Sequence, residues 1–313
     1  MACRVAAVIG VLGLVLVSPA PVRGSEPSPK AVAAPVQVVH VSWGVIGYRA
    51  VGHGRALVLL AGSSGSIDDW SPMLVDRLAT GARVYAMDYE GTGRTSLRPQ
   101  VSNFTKRLTI PSLADDTADF IRALHLGRVD VMGWSMGTFV AQALAIRHPT
   151  LVRRLVLAST ALGDGAWRAP KWPAHVDTSY PDYWLFPLTA KGRAAAIAYD
   201  RAIRSYPDYA FEERIAAEHP TGNQAIASLG EEGAVQLWLH GAVREGRVAA
   251  KVKVPVLIGE GTQDVILGLA GNERAAKTIP HATLKLYPDA GHGFLFQHEA
   301  DWTRLVLRFL SSR

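Results

Sequence analysis

"VDVMGWSMGTFVAQALAIRHP", residues Val129 to Pro149, passes from an apolar strand pattern into a helical one, with Ser135 between Gly133 and Gly137 at the junction. An ordinary helix start has no need of glycine on both sides of its serine. A strand that turns abruptly into a helix does, because the turn is tight and the residues two positions away must lack bulk. Such a turn lifts one side chain above the sheet edge. That residue stands at the positive end of the helix dipole, where developing negative charge is stabilised. The pattern therefore places Ser135 as a nucleophile and the N–H of Met136 as an oxyanion donor.

The alternation extends outward in both directions. "ALVLL" (Ala56–Leu60), "RVYAMD", "VRRLVLAS", "VPVLIGEG" and "ATLKLYP" read as short buried strands. Helical patterns lie between them. "DDWSPMLVDRLATG" has Asp69 as an N-cap and Gly81 as a stop, and "IPSLADDTADFIRALHLG" opens at Pro111-Ser112 and closes at Gly127. Further helices are expected around Gly271 to Thr278 and from about Glu299 to Leu310. Strands alternating with helices imply a parallel sheet covered on both faces. The rhythm breaks over residues 162–251, which read as an inserted, mostly helical lid between two core segments, 36–161 and 252–313. The insert is rich in rings: Trp167, Trp172, Tyr180, Tyr183, Trp184, Phe186, Tyr199, Tyr206, Tyr209, Phe211 and Trp238. Such rings either form the insert's own core or face an apolar substrate.

The chain has 313 residues, 49% of them hydrophobic, enough to bury one large core. Its formal charge of +6 is spread along the chain without a basic run, which argues against a nucleic-acid partner. Residues 1–24 combine a basic start ("MACR"), the apolar run "VAAVIGVLGLVLV" and the small-residue stretch "SPAPVRG", the layout of a secretory signal peptide. Cleavage after Gly24 would leave no stable membrane span, since the run is shorter than the roughly 20 residues a bilayer requires. An uncleaved anchor is the alternative. The expected location is secreted or periplasmic, and the only cysteine, Cys3, lies in the removed segment. "SEPSPKAVAAP" (residues 25–35) reads as a linker.

Together these motifs resemble the α/β-hydrolase superfamily of serine hydrolases, in its esterase and haloperoxidase-like branch, from about Val36 to the C-terminus. "GWSMGTFVAQALAIRHPTLVRRLVLAST" is similar to the family's nucleophile elbow, helix and following strand. "DYEGTGRTS" resembles its D-x-R-G-x-G-x-S stretch, and "GTQD" and "AGHGFLF" resemble its acid and histidine loops. The resemblance implies an α/β-hydrolase fold: a mostly parallel central sheet with helices on both faces and an inserted helical lid. It implies a triad in the order Ser135, Asp264, His292. His292 would take the serine proton, as imidazole can near neutral pH, and Asp264 would hold the other ring nitrogen. Asp164 is the alternative acid. Asp289, three residues from His292, is awkwardly close to it in the chain. Among other histidines, His148 reads as a charge partner at a helix end, and His298 as a residue flanking the last helix.

The chain departs from the family pattern in two places. Ala61-Gly62 stands where the family has His-Gly, so the second oxyanion donor is the backbone N–H of Ser63 by position. Glu90 replaces the arginine of the D-x-R-G stretch and reads as a solvated surface acid. No metal motif is present, and "GTGRTS" lacks the third glycine of a dinucleotide fingerprint, so neither metal nor cofactor is expected. The expected partner is a small acyl substrate, cleaved as an ester through an acyl-enzyme. An aminopeptidase or amidase would use the same serine, with Glu212, Glu213 or Glu218 meeting a substrate amine. A cofactor-free haloperoxidase or perhydrolase and a non-catalytic binding module are the remaining readings. Oligomeric state is not legible.

Overall fold

Val129–Trp134 and Val256–Gly261 are buried along their whole length, as strands sandwiched between two helix layers must be. The computed structural model describes residues 30–98, 108–172, 179–180, 182–207 and 223–312. Residues 1–24, read above as a signal peptide, and Tyr209, Phe211, Glu212, Glu213 and Glu218 lie outside the described residues. Eight strands form one sheet: β1 (Val36–Val41), β2 (Gly44–Gly52), β3 (Ala56–Leu60), β4 (Arg83–Met87), β5 (Val129–Trp134), β6 (Val152–Ala158), β7 (Val256–Gly261) and β8 (Ala282–Tyr287). Their order is β1-β2-β4-β3-β5-β6-β7-β8. Pairing is antiparallel at β1–β2 and β2–β4 and parallel from β4 to β8. Parallel neighbours need long crossovers, and helices supply them.

Among the described residues the helices are α1 (Lys30–Ala33), α2 (Pro72–Leu78), α3 (Ile110–Ala123), α4 (Met136–Arg147), α5 (Ala190–Ile203), α6 (Asn223–Leu239), α7 (Leu269–Thr278), α8 (Phe294–Gln297) and α9 (Glu299–Ser311). α3 packs on α4, while α2 packs on α1 and α9. α5 and α6 lie in the insertion between β6 and β7. No helix among the described residues is long and apolar enough to cross a membrane. The expected mostly parallel sheet with flanking helices is what the chain forms.

Four local expectations need correction. β1 and β2 precede the first strand read from the pattern. β1 is an edge strand with an irregular burial pattern and no run of buried residues, and its hairpin turns through Ser42-Trp43 without an Asn-Gly signal. Asp69 does not cap α2. It ends a short 3₁₀ turn, Ile67–Asp69, that Ser66 caps, and Ser71 and Pro72 begin the helix. The linker reading of residues 25–35 fails from Lys30 onward: Ala31 is fully buried and its N–H donates to Asp76 Oδ1 at 2.8 Å. Glu90 is no surface acid. It is buried and ion-paired with Arg98, whose guanidinium also meets Asp116 and lies 3.8 Å from the centre of the Trp43 ring.

Several carboxyls with little or partial exposure hold their protons unusually late. Burial pushes Asp116 up to about 6, against the opposing pull of Arg98, and pushes Glu299 up to about 7 and Glu231 up to about 8. Each folded-state value lies above the unfolded one, so the folded chain binds more protons between those values. Stability is then lost as pH rises through that window. Asp115 and Asp164 are depressed: burial raises them, but Arg147 and His148 outweigh it for the first, and the Ala166 N–H and Arg274 for the second. Their contribution is lost as pH falls below the ordinary carboxyl range. Thermal melts should therefore show a maximum near about pH 5 and a fall of several degrees by about pH 8. A melting temperature that rises from pH 5 to pH 8 would contradict this.

Candidate active site

Ser135 adopts φ 53° and ψ −123° between the end of β5 and the start of α4. A non-glycine residue at such angles is strained by about 1–3 kcal/mol, and the surrounding structure must hold it there. Its N–H donates to the Ala158 carbonyl at the end of β6 (3.0 Å), and its carbonyl accepts from Thr138 N (2.9 Å) and Thr138 Oγ1 (2.7 Å). The glycine requirement is literal. A Cβ on Gly133 would overlap the Gly137 carbonyl, and one on Gly137 would overlap the Leu60 carbonyl oxygen. Both obstacles are backbone and cannot rotate away. Gly137→Ala is therefore expected to cost about 3 kcal/mol or more, read as a drop in the urea midpoint or as insoluble protein. An unchanged midpoint would mean that the turn tolerates a side chain and is not tight.

His292 and Asp264 meet across 28 positions of chain. His292 Nδ1 lies 2.7 Å from Asp264 Oδ2, with both side chains buried. The other carboxylate oxygen, Oδ1, accepts from Ile266 N (2.6 Å) and Leu267 N (3.1 Å). Burial raises the Asp264 pKa, but His292, the Glu260 side chain and the Ile266 N–H outweigh it, and the group ends below the usual carboxylate range. It is thus ionised and can only accept, so Nδ1 carries a hydrogen, and in the neutral imidazole Nε2 is the nitrogen with the free lone pair. Nε2 is buried and has no hydrogen-bond partner among the described residues. The His292 carbonyl is held by Trp134 Nε1 (3.2 Å) and Ser159 Oγ (3.0 Å), which ties the histidine loop to the residue preceding Ser135. A Cβ on Gly291 would stand 2.9 Å from the Leu185 carbonyl oxygen, so the insertion packs directly on this loop.

The other candidate acids and histidines go elsewhere. Asp164 pairs with Arg274 on the surface. Asp289 binds Lys191 and, at 3.0 Å, His298. His148 closes α4 and bonds Asp115 at 2.7 Å.

Gly62 brings the turn after β3 against the nucleophile turn, since a Cβ there would lie 3.4 Å from Ser135 Cβ. Gly62, Ser63, Ser135 and Met136 all line one cavity of about 490 Å³. The Met136 N–H is in the first turn of α4, where no intrahelical acceptor exists. Among the insertion's described rings, two sets stand apart. Phe186, Tyr199, Tyr206 and Trp238 are buried packing residues, and the Tyr199 and Tyr206 hydroxyls bond the Asp69 and Trp70 carbonyls. Trp167, Trp172 and Trp184 line the cavity with Trp134 and Phe139. No sequence signal separates the two sets, because which face of the insertion meets the cavity is a tertiary fact.

Two buried acids are not singled out by the sequence. Glu260, on β7, faces Asp264 and Ser159 without a bond of regular geometry, and burial beside Asp264 holds it well above the ordinary range, as the neutral acid. Glu231, on α6, is fully buried and accepts from the Ser64 N–H at 2.6 Å. A signal for it is present: it shares a helical stripe with Ala227, Ala234 and Trp238, all buried.

Comparison with known proteins gives a consistent picture. A family model described as alpha/beta hydrolase fold matches residues 55–299. The chain is 27% identical to a putative carbamate hydrolase, RutD, of Caulobacter sp. (strain K31), over 82% of this chain and 91% of that one. It is 24% identical to a pimeloyl-[acyl-carrier protein] methyl ester esterase of Chromobacterium violaceum, over 77% of this chain and 88% of that one. Among solved structures, an alpha/beta hydrolase fold protein from Chitinophaga pinensis superposes with a TM-score of 0.72 at 21% identity, covering 90% of this chain and 99% of that one.

Proposed function

The chain belongs to the alpha/beta hydrolase fold family, and from that premise we propose that this hydrolase is an exported serine esterase that cleaves small or medium acyl esters through Ser135, His292 and Asp264. The observation that carries the reading is the buried Asp264–His292 pair, whose imidazole Nε2 has no partner among the described residues and whose loop is tied by Trp134 to the strained turn of Ser135. Ser135 Oγ attacks the ester carbonyl carbon as its proton passes to His292 Nε2. The carbonyl oxygen becomes an anion held by the N–H groups of Met136 and Ser63. The tetrahedral species collapses, the C–O bond to the alcohol breaks, and His292 returns the proton to the leaving oxygen. A water then gives its proton to His292 and attacks the acyl-enzyme, releasing the acid and restoring Ser135. Asp264, ionised throughout, stabilises the imidazolium in both halves.

The ester preference is supported by the esterase relative's name and by the cavity, where tryptophans suit an apolar acyl or alcohol group. A series of p-nitrophenyl esters of increasing acyl length tests it with the purified mature protein. Turnover is expected for short to medium acyl groups and should fall once the chain outgrows the cavity of about 490 Å³. No turnover across the series would overturn the ester reading. Export rests on the sequence of residues 1–24 alone, and N-terminal sequencing of protein recovered outside the cytoplasm should begin at Ser25.

A further inference from the structure

The turn that carries Ser63 is not held by its own preferences. Gly65 N donates to the Gly62 carbonyl at 3.2 Å, closing a four-residue β-turn with Ser63 and Ser64 in the middle. Ser64 has φ 62°, a left-handed value at the turn position where glycine is favoured. A serine there leaves the central peptide close in energy to the flipped form, in which its N–H points the other way. One contact opposes the flip. Glu231, 167 positions away on α6, accepts that N–H at 2.6 Å. The glutamate is fully buried, and its second oxygen faces the Thr92 hydroxyl without a bond of regular geometry. A buried acid spanning from the insertion to a catalytic loop is costly unless the bond it makes there is used.

We propose that Glu231 is a positioning residue: from the inserted helix it fixes the Ser64 amide and so holds the neighbouring Ser63 N–H where the oxyanion forms. The inference rests on the serine-hydrolase reading for its catalytic consequence, though the contact itself does not. Burial also keeps Glu231 protonated to about pH 8, and a neutral carboxyl still offers an acceptor oxygen, so the amide is held in either state. The same helix presents Glu232, Val235, Gln236 and Leu239 to the cavity. The element that meets substrate is thus the element that holds the oxyanion turn.

Glu231→Gln keeps an acceptor oxygen at the same reach; Glu231→Leu keeps the volume and removes the acceptor. Two readouts separate positioning from bulk stability. With p-nitrophenyl butyrate, the leucine variant should lose about tenfold or more in kcat with KM within about twofold, while the glutamine variant stays within about threefold of wild type. Amide hydrogen exchange, followed by mass spectrometry on peptides covering residues 60–67, should accelerate about tenfold or more at this turn in the leucine variant alone. Unchanged exchange in Glu231→Leu, or equal acceleration in both variants, would overturn the proposal. So would a leucine variant with wild-type kcat. Should the wild-type protein hydrolyse no ester, the esterase reading fails separately, and the exchange comparison still decides whether Glu231 holds the turn.

Discussion

Replacing Ser135 by alanine is expected to lower ester hydrolysis by about 10⁴-fold or more, with the melting temperature within a few degrees of wild type. The two halves of that expectation have separate causes. The hydroxyl is the only group at the turn that can form the covalent intermediate, so its removal leaves just the oxyanion donors and the cavity, which bind but cannot react. The fold loses little, because the Ser135 side chain makes no capping bond to α4 and the turn is held by backbone bonds to Ala158 and Thr138. Alanine can occupy the same backbone angles at similar strain. Initial rates with a chromogenic ester, beside a thermal melt, test both halves. Retained turnover would remove Ser135 from the mechanism. Lost turnover with a collapsed melt would mean that the side chain supports the fold.

Asp264→Asn should cost about 10⁴-fold in kcat with little change in KM. The magnitude follows from the hydrogen bonds at one carboxylate. Oδ1 receives two backbone N–H groups, from Ile266 and Leu267, and Oδ2 receives His292 Nδ1–H. An asparagine has one acceptor oxygen. The two fixed N–H groups claim it, which turns the amide NH₂ toward His292. Nδ1 must then accept, so the hydrogen moves to Nε2, and the ring can no longer take the serine proton. The imidazolium also loses its counter-charge. Steady-state kinetics on a folded variant would check this, and a loss below tenfold would assign the acid role elsewhere.

Features with local causes are legible in the amino-acid sequence. The turn at Ser135 is dictated by contacts within a few residues and by the strand beside it, so Gly133 and Gly137 announce it. The likeness of "GTQD" and "AGHGFLF" to the family's acid and histidine loops points to Asp264 and His292, and the structure brings those two side chains together while Asp164 and Asp289 pair with surface cations. Burial by distant partners is not legible. Glu90 reads as a surface acid until Arg98 and Asp116 fold onto it. Glu231 lies on a helical stripe that the pattern marks as buried, but its bond to the turn after β3 exists only because α6 crosses that turn. The first hairpin escapes the pattern for a different reason: β1 lies at the sheet edge, is half-exposed, and has a turn without glycine or asparagine at its centre.

The central claim is that Ser135 is an activated nucleophile. The direct measurement is covalent labelling of the purified mature protein with a fluorophosphonate probe, read by intact mass and peptide mapping, with Ser135→Ala alongside. The expected result is one probe mass per chain, on Ser135, and none on the variant. A folded wild-type protein that takes no label, or takes it on a different serine, would contradict the claim.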